Sequence, residues 1–231
     1  LTPAGSPTRS TRVLALADYL EVAGEAQRIT DLLTPELDAL PPGAPRVRAH
    51  LLLSEGGGVT SVGDHQRHLD AALEESGDDL FLRAHVLAKK SVHVTAACVE
   101  RVSDAEEWAL EALRAEHGVQ PDVVRLALHG LAWARALSGR PVDDLRERFE
   151  AASGAAAHLV DSVDRVSCLR LTWRGETALA RSALTGLLTL ADERGEQWSY
   201  VVLRLHLCEL ELRAGRWETA ARLLDEWAES T

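Results

Sequence analysis

The sequence predicts an all-α protein and, more narrowly, a right-handed α-solenoid of about six antiparallel helical hairpins. Apolar residues recur at helical spacing along most of the 231 residues, and the pattern breaks repeatedly at small or turn-forming joints. Hydrophobic residues make up 46% of the chain but aromatic residues only 4%, which suits close helix-on-helix packing. Units that recur every ~34 to 45 residues bury their apolar faces against their neighbours. The clearest joints are Gly24-Glu25-Ala26, Gly175-Glu176-Thr177-Ala178 and Gly215-Arg216-Trp217-Glu218-Thr219-Ala220.

The N-terminal residues predict a tail followed by a single array. Residues 1–10 are rich in Pro, Gly, Ser and Thr, which is typical of a flexible tail, and residues 11–231 are predicted to form one solenoid. In the first hairpin, apolar residues recur from Val13 to Leu20 and again from Ala26 to Leu33. Gly24 lies between these stretches, so two antiparallel helices are expected.

The next two hairpins are less regular. One is predicted from Val47–Leu53 and Asp64–Ser76, and a long helix follows over Leu80–Val99. Ser103-Asp104-Ala105-Glu106 has the spacing of a capping box, in which the Ser side chain accepts a hydrogen bond from the third backbone amide of a helix. A helix is therefore predicted to run from Asp104 to about His117.

Turn residues also mark the later hairpins. Pro121 suits the first turn of a helix that continues to Leu137, and Gly139-Arg140-Pro141 ends that helix before Val142–Ser153. The last two hairpins are predicted to pair residues 158–173 with 176–193 and residues 197–214 with 217–229.

Charge and cysteine content indicate a cytoplasmic protein that does not bind nucleic acid directly. The net charge is −11, from 36 acidic and 25 basic residues, and a surface of this sign repels phosphate backbones. Cys98, Cys168 and Cys208 are odd in number and lack C-x-x-C spacing, which favours buried reduced thiols. No apolar run is long enough for a membrane span, so no membrane partner is expected. The chain contains no Met, which suggests a fragment of a longer protein.

The motifs of catalytic and cofactor sites are missing from the sequence, which predicts no enzyme activity and no cofactor in this segment. The Gly56-Gly57-Gly58 run lacks the Lys of a nucleotide-binding P-loop, and no nucleophile elbow is present. Among nine histidines, His65 and His68 would share one helix face, but a third metal ligand is missing nearby. An exposed polar helix face explains this pair, so no metal site is predicted.

A candidate binding site follows from the solenoid, because such arrays bind partners on a concave face built mainly from the first helix of each hairpin. Two Trp rings with Arg and His around them could hold an aromatic or anionic ligand, or an extended peptide. The alternative is that the Trp rings fill gaps between helices while an Arg–Glu couple lies in solvent. The residues expected in this groove are His93, His129, Trp133, Arg165, Leu169, Trp173, Leu205, Glu209 and Arg213.

The C-terminal third carries a family resemblance. A shift of 40 residues superposes Gly175 on Gly215 and Cys168 on Cys208, and the last hairpin resembles a tetratricopeptide repeat with Ala220 and Leu224 after the joint. This region also resembles the helical repeats of large ATP-binding LuxR-family transcriptional regulators of actinobacteria. The stretches that carry this resemblance are residues 169–176, 187–195, 203–215 and 223–228.

The resemblance implies a function for the segment as part of a larger protein. In that family a P-loop ATPase module precedes the repeats and a DNA-binding helix-turn-helix follows them. The chain would then be a non-catalytic sensor and scaffold domain that binds an effector or protein partner and relays this binding to those two modules. The alternative from a different class is a free-standing tetratricopeptide-like adaptor that binds a peptide of another protein, and a His-based metalloenzyme ranks third.

Overall fold

The computed structural model describes Pro3, Ser6 and residues 8–55, 62–115, 118–152 and 158–228. Of these described residues 83% are helical, in twelve α-helices and three short 3-10 turns, and none of them forms a strand. The prediction of an all-α protein is therefore confirmed. Among the described helices, none has the length and apolar character required to cross a membrane.

The chain divides into two compact units, Leu1–Val119 and Gln120–Thr231. The sequence predicts one array over residues 11–231, and that arrangement stays a prediction. The first unit contains α1 (Arg9–Val22), α2 (Ala26–Leu33), α3 (Ala44–Ser54), α4 (Val62–Glu75), α5 (Leu80–Ala97) and α6 (Val102–Arg114). The second unit contains α7 (Pro121–Leu137), α8 (Asp143–Ala151), α9 (Val163–Trp173), α10 (Thr177–Arg194), α11 (Gln197–Arg213) and α12 (Trp217–Ala228). The 3-10 turns are Thr34–Ala39, Val99–Arg101 and Leu159–Asp161.

Helix α1 starts inside the stretch predicted to be a tail. Its first residue, Arg9, forms two hydrogen bonds with the carboxylate of Glu36, one of them from Nε to Oε2 at 2.9 Å. This ion pair attaches the start of α1 to the turn that follows α2. The boundary of the predicted tail is therefore two residues too late.

In the first unit, each helix buries apolar residues against its sequence neighbours. On α3, Ala49 and Leu52 pack with residues of α1 and α2, whereas Val47 and Leu51 pack with residues of α4 and α5. One helix thus belongs to two apolar clusters, as expected of a repeat that needs a partner on both sides.

The predicted glycine joints form where the sequence places them. Gly175 and Gly215 have φ of 76° and 74°, in the left-handed region that glycine adopts without steric cost. After α9, the amide of Glu176 donates to the carbonyl of Leu171 at 3.0 Å, and after α11 the amide of Arg216 donates to that of Glu211 at 2.8 Å. These are the hydrogen bonds of a Schellman motif, so both helices end in the same way.

The predicted capping box is wrong. Helix α6 begins at Val102, one residue before Ser103, and no side chain caps its first amides. The 3-10 turn Val99–Arg101 leads directly into the helix, and Arg101 Nε donates to Asp104 at 2.8 Å instead. Ser103 is therefore already helical. The helix ends at Arg114, and the predicted end at His117 lies outside the described residues.

In the second unit, α9, α10 and α11 pack side by side. Their contact is an apolar cluster that includes Ala180, Leu184, Leu203 and Leu210. A buried ion pair also joins α10 to α11, because the carboxylate of Glu211 is 2% exposed and accepts two hydrogen bonds from Arg181, at 2.5 and 3.0 Å. These contacts fix α11 relative to α10 and α9, and so fix the side chains that α11 presents to its neighbours.

Candidate ligand site

Two side chains of α7 form the inner part of the candidate site. Trp133 Nε1 donates a hydrogen bond to His129 Nε2 at 3.1 Å, and the rings meet edge to face at a centroid distance of 6.3 Å. Because the residues are four apart, both lie on one face of the helix. His129 is 1% exposed, so it holds Trp133 through this hydrogen bond and does not line an open groove as the sequence suggests.

Protonation of His129 is strongly disfavoured. Burial, assisted by the charge of Arg165, lowers the pKa of His129 to about 3, and the backbone of Ser162 acts in the opposite direction. The ring is therefore neutral near pH 7. Because its Nε2 accepts from Trp133, the proton of the neutral ring must be on Nδ1.

The outer part of the site comes from α9. The Trp173 ring lies 6.1 Å from the Trp133 ring, tilted by 45°, and its side chain is 37% exposed. The guanidinium carbon of Arg165 lies 5.2 Å from the centre of the Trp133 ring, in cation–π contact. We call Trp133, Arg165, Trp173 and His206 the Arg165 cluster.

The backbone at the start of α9 is held firmly, which positions Arg165. The Ser162 hydroxyl accepts a hydrogen bond from the Arg165 amide at 3.1 Å and so caps the helix. Just before the cap, the amide of Leu159 donates to the carboxylate of Glu196 at 2.8 Å, and the amide of Val160 donates to the Ser199 hydroxyl at 3.1 Å. The turn that precedes α9 is thus attached to the first turn of α11.

The Arg165 side chain is a cation with few partners. Its Nη1 lies 3.3 Å from His206 Nε2, and its Nε is buried without a hydrogen-bond partner. Burial lowers the pKa of Arg165 to about 10, although the carboxylate of Asp161 raises it. Among the residues that the structure describes, no carboxylate forms an ion pair with this guanidinium.

His206 is part of the cluster, and the sequence does not predict it. Burial, assisted by the charge of Arg165, lowers the pKa of His206 to about 4, while Glu209 raises it. His206 follows Arg165 by 41 residues, whereas the repeat offset of 40 that superposes Gly175 on Gly215 pairs Arg165 with Leu205. The repeat pattern therefore selects the residue next to His206.

Other predicted groove residues lie outside the cluster. Leu169 is 2% exposed and belongs to the core, and Leu205 is 42% exposed. Arg213 Nε donates to Glu209 at 2.8 Å within α11, and both side chains are well exposed. This pair is therefore the solvent-exposed Arg–Glu couple that the alternative interpretation of the sequence predicts.

His93 belongs to the first unit and is described there. Its ring stacks on that of His65 at a centroid distance of 4.6 Å, and a second pair is formed by His50 and His68, whose Nδ1 atoms are 3.1 Å apart. In the described parts of the chain, no three His, Cys, Asp or Glu residues are grouped so that they could hold a metal ion.

Comparison with known proteins supplies no relative. No protein-family model, curated protein or solved structure matches this chain.

Proposed function

We propose that this chain is a non-catalytic sensor domain whose Arg165 cluster binds the carboxylate of an effector that also carries an aromatic or other flat apolar group. The observation that carries the proposal is a largely buried guanidinium which is stacked on Trp133 and forms no ion pair with any carboxylate in the described part of the chain. Binding of a ligand carboxylate would provide that charge with a partner.

The physical argument concerns the cost of a buried charge. A cation removed from water without a counter-ion is strongly unfavourable, and pairing it with a hydrogen-bonded anion offsets much of that cost. Arg suits this role because its planar guanidinium binds a carboxylate through two parallel hydrogen bonds. A ligand carboxylate at Arg165 would therefore supply the ion pair that no carboxylate in the described part of the chain forms with this guanidinium.

The protonation states of the neighbouring imidazole rings favour a ligand with a single anionic group. His129 and His206 are both neutral near pH 7, so Arg165 is the only formal charge among the clustered side chains. Trp173 is partly exposed at the edge of the cluster and offers a flat apolar surface to the remainder of the ligand.

The proposal extends to the architecture and the whole protein. We take residues 11–231 to form a right-handed, tetratricopeptide-like solenoid, supported by the Schellman joints after α9 and α11 and by packing between successive helices within each unit. The resemblance to LuxR-family regulators would then make this segment the cytoplasmic sensor and scaffold between an ATPase and a helix-turn-helix. Effector binding would act by shifting the populations of two arrangements of those modules.

A binding experiment with a matched pair of probes tests the site. We expect 3-phenylpropionate to bind the wild-type chain in isothermal titration calorimetry and to raise its Tm, and the neutral analogue 3-phenylpropionamide to bind far more weakly. Arg165→Gln removes the charge and should abolish the preference for the acid. Arg213→Gln is the control, because Arg213 lies in the exposed pair with Glu209.

Two results would contradict the proposed site. One is equal binding of the acid and the amide by the wild-type chain. The other is a preference for the acid that survives Arg165→Gln in a variant whose circular dichroism shows that it is folded.

One observation favours a protein partner as the second candidate. Helices α11 and α12 expose large apolar side chains at Trp198, Leu205, Leu212, Trp217 and Leu224, with exposed fractions of 42–68%. An adaptor that binds a peptide could use such a surface. The native reading frame separates the two candidates, because flanking P-loop and helix-turn-helix motifs support the regulator and a short frame supports the adaptor.

A further inference from the structure

The second unit contains a cleft on a different side of α9 from the Arg165 cluster. The cleft has a volume of about 350 Å³, which falls in the size range of small-molecule sites. Residues of three helices, α8, α9 and α10, line it. The lining residues are Arg146 and Glu150 from α8, Asp164, Ser167, Cys168 and Leu171 from α9, and Ala183, Gly186, Leu187 and Leu190 from α10.

A glycine keeps this cleft open. Gly186 lies in the interior of α10, where glycine is a poor helix former, and its backbone needs no positive φ. A Cβ atom placed there would meet no other atom within 4 Å. Neither backbone conformation nor close packing therefore requires glycine at this position. The missing side chain does leave open space in the cleft.

The lining combines apolar side chains with charged ones at its solvent-exposed rim. Leu171, Leu187 and Leu190 provide apolar surface, and burial raises the pKa of the Cys168 thiol to about 11, so the thiol is neutral. At the rim, Arg146 Nε lies 2.5 Å from the carboxylate of Asp164, and these two charges offset each other.

Glu150 supplies the remaining charge at the rim. It forms no ion pair with any residue that the structure describes, so the lining carries one net negative charge. The whole chain, with a net charge of −11, adds to this preference for cations.

We propose that the cleft between α8, α9 and α10 binds a small amphipathic monocation, with its apolar body against Leu171, Leu187 and Leu190 and its ammonium group near Glu150. This site is separate from the Arg165 cluster. At about 100° per residue, Trp173 lies roughly opposite the cleft residues of α9, and Arg165 lies about 110° around the helix from their centre. The two sites also select opposite charges, so one set of probes distinguishes them.

The test uses 3-phenylpropylamine, with the neutral 3-phenylpropanol as a matched probe, in isothermal titration calorimetry on the whole chain. We expect the wild type to bind the amine several-fold more tightly than the alcohol. Gly186→Leu fills the cleft and should weaken amine binding at least tenfold, whereas Gly186→Ala adds one methyl group and should weaken it far less.

Charge variants keep the test decisive if Gly186→Leu fails to fold. Glu150→Gln should make the amine and the alcohol bind equally, and Glu147→Gln, an exposed carboxylate of α8 outside the cleft lining, should retain the preference. Arg165→Gln should leave amine binding unchanged, whatever it does to 3-phenylpropionate. No binding of the amine to the wild type, or equal amine binding by wild type and folded Gly186→Leu, would overturn the proposal.

Discussion

The guanidinium carbon of Arg165 lies 5.2 Å from the centre of the Trp133 ring, and its Nη1 lies 3.3 Å from the imidazole of His206. The cation is therefore stabilised by an aromatic face and a neutral ring, and by no carboxylate ion pair within the described residues. Arg181, in the same unit, differs from Arg165 because it forms an ion pair with the buried carboxylate of Glu211.

These two arginines predict opposite effects of the same substitution. Arg165→Gln removes a poorly compensated charge, so we expect the free energy of unfolding of the ligand-free chain to stay within ~1 kcal/mol of wild type or to rise. Arg181→Gln removes two hydrogen bonds from the buried carboxylate of Glu211 and leaves it a longer ion pair with Arg216 at 3.7 Å, so it should cost about 2–4 kcal/mol. Urea unfolding at pH 7 measures both values. A greater loss for Arg165→Gln than for Arg181→Gln would contradict this view of the cluster.

The sequence predicts the all-α class and several helix ends because its joints are chemically explicit. Gly175 and Gly215 occupy positions that require a positive φ, and Pro121 occupies the first turn of α7 as expected. Local chemistry decides such positions. Ser103 shows the limit, since a capping-box spacing has no effect when a 3-10 turn already continues into the helix.

The sequence predicts the candidate site only in part. Trp133, Arg165 and Trp173 come together because they lie at fixed distances before their glycine joints, which the sequence shows. The repeat offset of 40 residues pairs Arg165 with Leu205 and not with His206, and one residue rotates a side chain by about 100° around a helix. Burial depends on tertiary packing, so the sequence did not show that His129 is buried.

Protonation of the buried imidazoles predicts a loss of stability in acid. Burial depresses the pKa of His206 to about 4 from 6.5, so the unfolded chain binds more protons than the folded chain between these two values. Its contribution is fully present above pH 6.5 and is lost as the pH falls toward 4. Partial exposure to solvent reduces the effect, and we expect His206 to account for about 1 kcal/mol between pH 7 and pH 5.

The measurement compares urea unfolding at pH 7 and pH 5 for the wild type and His206→Gln. The variant should lose less stability on acidification than the wild type does. An equal loss in the two proteins would show that His206 does not titrate in this range on unfolding.

The contact between α11 and α12 predicts that the same substitution at two adjacent alanines of α12 changes stability by very different amounts. Ala220 is 1% exposed, and its carbonyl accepts a hydrogen bond from the Cys208 thiol at 3.3 Å. Ala220→Arg forces a large charged side chain into this contact, so we expect a loss of several kcal/mol through overpacking and charge burial. Ala221→Arg is the control, because Ala221 is exposed on the same helix and should change stability by less than ~0.5 kcal/mol. Equal melting curves for the two variants would show that Ala220 does not lie in the contact between α11 and α12.

Two glycines in the second unit predict opposite responses to the same methyl group. Gly175 has a φ of 76° in the joint after α9, where an L side chain is strained, so Gly175→Ala should lower the free energy of unfolding by about 1–2 kcal/mol. Gly186 lies inside α10 with open space where the added methyl group would lie, so Gly186→Ala should raise it by about 0.5–1 kcal/mol. Thermal and urea unfolding of both variants checks the signs. Stabilisation by Gly175→Ala would show that the joint does not hold the left-handed backbone, and destabilisation by Gly186→Ala would show that the cleft is occupied by protein atoms in solution.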